Sequence, residues 1–294
     1  MKQQKNIENS SWIEQKEAIV SYYEECDNAY RDAWGMDQNM QLNLGIWKKD
    51  TKKLSEALVN LNNEMMEVAQ LSKNDHVLDA GCGVGGTLIH FAKQIGCTGI
   101  GITLTPHQAE KAIENSKREG VAHLVTFQVM DYCNTTFEDE SFTLITGMES
   151  ICYAEPKIAF LREAQRLLKP GGRIAIADNL QGKDSLTDKE YKSLYTDAFN
   201  GCSVISLDTE KQYRTNLNEL QFKNIACIDE TERIRPSIVR LRKFYYAAVV
   251  YNFAHRIIGK RFSKTQEANT KMCYHLLSSL DTGLWKYGLI TATK

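Results

Sequence analysis

The chain has 294 residues, enough for one large domain or for one domain with a substantial insertion. Its 43% hydrophobic and 25% charged residues are typical of a globular protein and exclude a disordered one. The 36 basic and 37 acidic residues leave a formal charge of −1, so electrostatics give no reason to expect a nucleic-acid partner.

Eight cysteines are scattered singly, without a CxxC pair at zinc-ligand spacing and without a dense disulfide pattern. This usage predicts reduced thiols in a cytoplasmic protein, and no metal site is expected. The polar N-terminus MKQQKNIENSSW lacks the apolar core of a signal peptide. No run approaches the roughly 18 apolar residues that span a bilayer, which leaves only docking on a membrane surface open.

Residues 1–70 are predicted to be helical and are called the lid below. An amphipathic helix from Ile13 to Arg31 is followed by the glycine-punctuated stretch AWGMDQNMQLNLGIW. A second amphipathic helix is predicted from Thr51 to Leu71, because its apolar residues recur at helical spacing.

From Asp75 onward, short apolar runs alternate with helices. HVLDA, TGIGITL, LVTFQVMD, FTLITGM and RIAIADNL are predicted strands, and IAFLREAQRLLKPGG is a predicted helix closed by Pro170 and two glycines. This alternation predicts a mainly parallel sheet with helices on both faces over residues 71–180. Residues 181–280 are expected to form a helical substrate cap, and residues 281–294 a final strand of the same sheet.

A glycine-rich turn, VLDAGCGVGG, joins the first predicted strand to its helix. Glycines there let the backbone turn tightly and approach a ligand closely, and the helix start offers free N–H groups. Gly81, Gly83 and Gly86 also satisfy GxGxxG, so dinucleotide binding is an alternative. Asp79 would repel a pyrophosphate but can help hold the cationic methionine end of S-adenosylmethionine. The next strand ends in GITLTPHQ, without the acidic residue that binds a nicotinamide ribose.

VLDAGCGVGG resembles motif I of the class I methyltransferases. GITLTPHQ is similar to the second motif of a narrower group, the tocopherol, sterol and prenyl-diphosphate C-methyltransferases and the cyclopropane-fatty-acid synthases. In much of that group a threonine and a glutamine, here Thr103 and Gln108, replace the acidic ribose ligand. The resemblance implies a Rossmann-like, seven-stranded, mainly parallel α/β sheet with an N-terminal helical lid and an inserted helical cap.

The resemblance also implies S-adenosyl-L-methionine as the cofactor. VMDYCN matches the adenine-contacting segment, and the stretch from SYYEEC to LGIW resembles a lid that folds over the cofactor. Any single aromatic residue of that stretch is alternatively just the packed face of a helix. The residues implied to bind the cofactor are Tyr22, Leu44, Gly45, Asp79, Gly81, Gly83, Thr103, Leu104, Gln108, Asp131, Tyr132 and Met148.

Glu149 follows the strand FTLITGM, at the sheet edge where open α/β sheets place ligands. It is a candidate general base, with a solvated or helix-capping acid as the alternative. Tyr22 and Tyr153 are further catalytic candidates. Aromatic faces can stabilise a carbocation, which suggests Trp34, Tyr153 and Tyr245 for that role.

The segment RIRPSIVRLRKF contains five cations, Arg233, Arg235, Arg240, Arg242 and Lys243. They can hold a diphosphate or another anionic head group, or they form a solvated helix face.

The sequence therefore predicts a methyltransferase that methylates carbon in a partly hydrophobic small molecule, such as an isoprenoid, a prenylated quinol, a sterol or a fatty acyl chain. An N- or O-methyltransferase of a small metabolite is the alternative. A binding module without catalysis and a nicotinamide-dependent oxidoreductase are further alternatives. Assembly into a homo-oligomer is left open.

Overall fold

The computed structural model describes residues 2–257, 259 and 261–294, with side chains from residue 13 onward. Within these residues, seven strands form one sheet. They are β1 (His76–Ala80), β2 (Thr98–Thr103), β3 (Val125–Val129), β4 (Phe142–Met148), β5 (Leu168–Gln181), β6 (Lys223–Asp229) and β7 (Trp285–Thr293).

The strand order is β3-β2-β1-β4-β5-β7-β6. Neighbours among the first five strands pair in parallel, whereas β7 runs antiparallel to both β5 and β6. The prediction of a mainly parallel, Rossmann-like sheet is confirmed.

Helices precede, connect and follow the strands. They are α1 (Lys2–Trp34), α2 (Met36–Asn39), α3 (Leu54–Val68), α4 (Gly86–Ile95), α5 (Pro106–Arg118), α6 (Lys157–Leu167), α7 (Asp188–Tyr191), α8 (Glu210–Glu219), α9 (Thr231–Ile257) and α10 (Lys264–Asp281). Two 3₁₀ turns, Ile151–Tyr153 and Asn200–Cys202, and a π-helical stretch, Lys192–Phe199, complete the connections.

Two hydrophobic cores lie on the two faces of the sheet. Successive strand residues point to opposite faces, so Val77 joins the core beneath α3 and α4 while Leu78 joins the core beneath α6 and α8. Leu144 and Ile145 divide in the same way. Both faces of the central strands are therefore covered, which matches their near-continuous apolar sequences.

The structure corrects two predicted boundaries, the extent of the helical cap and the end of the helix before β5. Residues 181–280 were expected to be helical, but residues 223–229 form β6 at the edge of the sheet. Only Ile225 and Cys227 of this strand are partly buried, so its sequence lacks the apolar signal of the inner strands. The helix expected to run to Pro170 ends at Leu167, because Leu168 already begins β5.

The lid and the cap meet above the carboxyl ends of the parallel strands. α1 packs on α10, and α10 packs on α9 and on the π-helical stretch. Glu25 of α1 accepts hydrogen bonds from Ser263 and Thr265 at the start of α10. The two helical regions thus close over one edge of the sheet and leave a cavity there.

Candidate active site

A cavity of about 240 Å³ opens at the carboxyl ends of β1, β2 and β4. The turn after β1, the residues after β2 and the residues after β4 form its floor, and α1, α9 and α10 form the opposite wall. Open α/β sheets place their ligands at this edge.

The glycine-rich turn shapes the floor. Gly81 has φ of +83°, and a Cβ there would lie 2.3 Å from the Cβ of Ser150. Gly83 has φ of +53°, and a Cβ there would meet no atom within 4 Å. Gly81 is therefore required by the packing of the chain after β4, whereas Gly83 leaves open the cavity space that a ligand would fill.

Asp79 supplies a buried charge beside this turn. Its side chain is 1% exposed and lines the cavity, and among the described residues its Oδ2 has no hydrogen-bond partner. Burial raises the pKa of this carboxyl to about 7. An unsatisfied acceptor is costly unless a donor arrives, so the site fits a cationic group such as the ammonium of S-adenosylmethionine.

The end of β2 presents amide and hydroxyl groups. Thr103 Oγ1 donates to Gln108 Oε1 at 2.9 Å, and both side chains line the cavity. The Tyr132 ring lines the adjoining wall, held by its hydroxyl, which donates to the Ser150 carbonyl at 2.7 Å. These neutral polar groups and this ring suit a ribose and a base better than a phosphate.

Glu149 lies where β4 ends. Its Oε1 accepts hydrogen bonds from the Leu44 N–H at 2.7 Å and from the Tyr287 hydroxyl at 2.8 Å. Burial raises its pKa to about 8, although both hydrogen bonds oppose that rise. A carboxyl with this pKa can take up and release a proton near neutral pH.

Aromatic side chains from the lid and the cap form the opposite wall. The hydroxyls of Tyr23 and Tyr153 lie 3.2 Å apart, and the rings of Phe199 and Trp285 pack edge to face at 5.5 Å. Trp34 donates from Nε1 to the Asn43 carbonyl at 2.9 Å. The wall continues with apolar residues of α9 and α10, which are Ile238, Leu241, Phe244, Met272 and Leu276.

The cavity brings together eleven of the fourteen residues predicted to bind the cofactor or to act in catalysis, which are Leu44, Asp79, Gly81, Gly83, Thr103, Leu104, Gln108, Tyr132, Met148, Glu149 and Tyr153. Trp34, predicted to stabilise a carbocation, lines it as well. Three others lie outside its walls. Tyr22 is buried behind Tyr30 and receives a hydrogen bond from Asn269 at 3.1 Å. Gly45 packs against α3, where a Cβ would lie 2.6 Å from the Ala57 carbonyl carbon, and Asp131 forms an ion pair with Lys16 at 3.2 Å.

Three residues of the site were missed. Tyr23 and Tyr30 line the cavity instead of Tyr22, because the helical spacing of α1 turns residues 23 and 30 to the same face. Tyr287 reaches Glu149 from β7, and no local pattern signals a contact across 138 residues. The doublet SYYEEC is the one signal that could have pointed to Tyr23.

The five cations of the segment RIRPSIVRLRKF lie outside the cavity. Arg233 pairs with Glu64 at 2.6 Å, and Arg235 pairs with Glu232 at 2.9 Å. Tyr245, expected near the substrate, also lies outside.

The charge of the cavity follows from this placement. Among the described residues, no lysine, arginine or histidine lines the cavity, whereas Asp79 and Glu149 do. The five cations of RIRPSIVRLRKF therefore contribute no side chain to this cavity.

The chain is similar to known methyltransferases. Residues 77–172 match the family described as a methyltransferase domain. The chain is 26% identical to the chloroplastic tocopherol O-methyltransferase of Arabidopsis thaliana over 95% of its own length and 82% of the relative. It is 25% identical to the sarcosine/dimethylglycine N-methyltransferase of Halorhodospira halochloris over 77% of its length and 80% of that protein.

Solved structures show the same fold. The cyclopropane synthase MmaA2 of Mycobacterium tuberculosis aligns with a TM-score of 0.81 at 14% identity, covering 95% of this chain and 98% of that one. The [4+2]-cyclase SpnF aligns with a TM-score of 0.80 at 19% identity, covering 95% and 96%.

Three observations indicate the same cofactor, S-adenosylmethionine. They are the match to a methyltransferase domain, the open turn at Gly81 and Gly83, and the unsatisfied carboxyl of Asp79. The chain resembles the class I S-adenosylmethionine-dependent methyltransferases, and its residues 77–172 match their methyltransferase domain. It is an enzyme, and S-adenosylmethionine is its cofactor. No helix in the described part of the chain is both long and apolar enough to cross a membrane.

Proposed function

We propose that this enzyme transfers a methyl group to a carbon atom of a partly apolar acceptor without an anionic head group, such as a sterol, a prenylated quinol or a neutral isoprenoid. The observation that carries the proposal is the composition of the cavity. Aromatic and aliphatic residues form the wall opposite the cofactor side, and the ionisable side chains among its described lining residues are Asp79, Glu149, tyrosines and cysteines.

The absence of a cation from the described lining argues against a diphosphate. An anionic head group requires arginine, lysine or a metal to offset its desolvation, and two carboxylates would repel it. The structural neighbour described as a geranyl diphosphate methyltransferase thus supports the fold but not that acceptor. A sterol 4-C-methyltransferase of Caenorhabditis elegans, 32% identical over 56% of this chain and 49% of its own length, supports the apolar class.

The side chains divide between two tasks. Asp79 would hold the ammonium of the cofactor, Thr103 and Gln108 its ribose, and Tyr132 its base. The bound sulfonium supplies an electrophilic methyl group. The aromatic wall, which contains Trp34, Trp285 and several tyrosines, would exclude water from the acceptor, and aromatic rings can stabilise a nearby positive charge.

Glu149 completes the reaction. A carbon acceptor becomes cationic when it gains a methyl group, and it regains neutrality by losing a proton from a neighbouring carbon or oxygen. The ionised Glu149 carboxyl accepts that proton, and the Leu44 N–H and the Tyr287 hydroxyl hold it in place. Positioning and proton removal are therefore the contributions of this chain.

Labelled S-adenosylmethionine, offered with sterol, quinol, neutral prenyl and amine acceptors, tests the proposal. We expect label bound to carbon, and we expect Glu149→Gln to lower the rate by about 10²- to 10⁴-fold while S-adenosylhomocysteine still binds. Glu155→Gln is the control, because Glu155 is an exposed acid six residues away that does not line the cavity. Full activity of Glu149→Gln would refute the role of this carboxyl.

A nitrogen acceptor is the second candidate, because an acidic cavity lined by aromatic rings also suits an amine. The similarity to the sarcosine/dimethylglycine N-methyltransferase supports it. The same acceptor panel separates the two, since label bound to nitrogen would replace label bound to carbon.

A further inference from the structure

The outer face of α9 carries large apolar side chains in solvent. Five residues, at positions i, i+3, i+4, i+7 and i+11 counted from Tyr246, form what we call the apolar stripe. Their exposed fractions are 57% for Tyr246, 44% for Val249, 69% for Val250, 67% for Phe253 and 72% for Ile257. Residues at this spacing lie on one side of a helix, so the stripe is continuous.

The inner face of the same helix belongs to the cavity. Ile238, Leu241 and Phe244 line it, and these residues point away from the apolar stripe. α9 thus separates the candidate acceptor site from an apolar surface on the outside of the protein.

Positive charge flanks the apolar stripe at both ends. Residues 233–266 hold nine lysines and arginines and no aspartate or glutamate. Three of these cations, Arg233, Arg235 and Arg256, form ion pairs with acids outside the segment. Before the stripe, the guanidinium groups of Arg240 and Arg242 lie 4.8 and 4.4 Å from the ring centres of Phe244 and Tyr274, and Lys243 is exposed. At the other end of the apolar stripe, Arg256 directly precedes Ile257, and Arg261 follows it four residues later.

We propose that α9 docks the enzyme onto a bilayer containing anionic phospholipid, with the apolar stripe inserted among the acyl chains and the flanking cations on the head groups. A helix with large apolar residues on one side and lysine or arginine around them binds the membrane interface in this way.

A second copy of the chain is a poorer occupant. A twofold contact through the same face would bring the Arg240, Arg242 and Lys243 side chains of the two copies toward each other, and like charges repel. On an anionic phospholipid surface, the apolar residues can contact acyl chains while the cations contact the head groups.

Co-sedimentation with vesicles tests the docking surface without cofactor or acceptor, so its outcome is independent of the proposed reaction. We expect the full chain to bind vesicles of phosphatidylcholine and phosphatidylglycerol in equal amounts, and to bind pure phosphatidylcholine at least about tenfold more weakly. We expect the double variant Val250→Glu, Phe253→Glu to lose about tenfold or more of its affinity for the mixed vesicles.

The matched control is the double variant Tyr191→Glu, Ile228→Glu, which adds the same two charges at apolar residues of α7 and β6 that are 54% and 44% exposed. It should bind vesicles like the wild type. Circular dichroism and S-adenosylhomocysteine binding show that each variant is folded, because both substituted residues of α9 lie outside the cavity.

Two results would overturn the proposal. One is equal binding of the mixed vesicles by the wild type and the double variant, or no binding by either. The other is a wild-type dimer, seen by light scattering without vesicles, that the double variant converts to a monomer.

Discussion

Glu149 adopts an unusual backbone conformation, with φ of +51° in a residue that has a Cβ. Such a conformation persists only where the surroundings fix it, and it recurs at functional sites. The Glu149 N–H donates to the Ala177 carbonyl at 2.7 Å, and the Ser150 hydroxyl donates to the Ala80 carbonyl at 2.5 Å. Both strands that flank β4 therefore aim the Glu149 carboxyl at the cavity.

The pH dependence of the rate tests this carboxyl. Glu149 must be ionised to accept a proton, so kcat/KM should rise with pH and level off above its pKa of about 8. The hydrogen bond from Tyr287 lowers that pKa, so Tyr287→Phe should move the rise to higher pH. Kinetics across the pH range measure both profiles.

The control for that shift is Tyr195→Phe, a buried tyrosine whose hydroxyl donates to Gln181 at 2.6 Å away from the cavity. Its pH profile should match that of the wild type. Coinciding profiles for Tyr287→Phe and the wild type would contradict the positioning role of Tyr287.

Gly83 offers a second test at the scale of one residue. Gly83→Ala forces a Cβ into a left-handed conformation and into open cavity space, which should weaken binding of S-adenosylhomocysteine about tenfold or more. Gly120→Ala has the same kind of strain, with φ of +75° and no atom within 4 Å, but lies outside the cavity. Calorimetry should show normal binding for Gly120→Ala, and equal losses in both variants would refute a contact between Gly83 and the cofactor.

Among the secondary-structure elements, the sequence predicted the inner strands best. β1 and β4 coincide with HVLDA and FTLITGM, because strands buried on both faces are continuous apolar runs. β6 was missed because an exposed edge strand carries a largely polar sequence.

Residues of the glycine-rich turn could be placed from local pattern alone. Tyr23 and Tyr287 could not, since their place in the cavity depends on how α1 and β7 pack.

The contact between α1 and α10 involves the N-terminal cap of α10. Ser263 and Gln266 form a capping box at the start of α10, and Glu25 of α1 accepts from the Ser263 hydroxyl. Ser263→Ala should cost about 1 kcal/mol of stability through the lost cap, and it should also loosen α1. Hydrogen exchange measured by mass spectrometry should show faster exchange in α1.

Thr209→Ala removes an equivalent capping box from α8, which has no hydrogen bond to α1 among the described residues. Its loss of stability should be similar, while exchange in α1 stays at the wild-type rate. Unchanged exchange of α1 in Ser263→Ala would show that the cap does not hold the lid.

At the scale of the whole molecule, the cavity makes folding depend on pH. Asp79 and Glu149 have folded-state pKa values of about 7 and about 8, while unfolded carboxyls titrate near about 4. As pH rises from about 4 to 8, the unfolded chain loses these protons first, so the contribution of these two carboxyls to the free energy of unfolding should fall across that range. Urea unfolding of the ligand-free enzyme should show this, and the double variant Asp79→Asn, Glu149→Gln should show a smaller decline. A decline of equal size in that variant would show that Asp79 and Glu149 do not cause the pH dependence of the free energy of unfolding.

Cofactor binding should reverse part of that decline, because the ammonium of the cofactor gives the Asp79 carboxyl a cationic partner. S-adenosylhomocysteine has an ammonium that favours the ionised carboxyl, so its affinity should increase by about tenfold from pH 6 to pH 8, as the Asp79 pKa of about 7 is crossed. 5′-Methylthioadenosine has the nucleoside but no ammonium, and its affinity should stay nearly constant. Calorimetry at both pH values should also show that Asp79→Asn removes the dependence for S-adenosylhomocysteine. A pH dependence shared by both ligands would instead place the titrating group at the nucleoside end of the cavity.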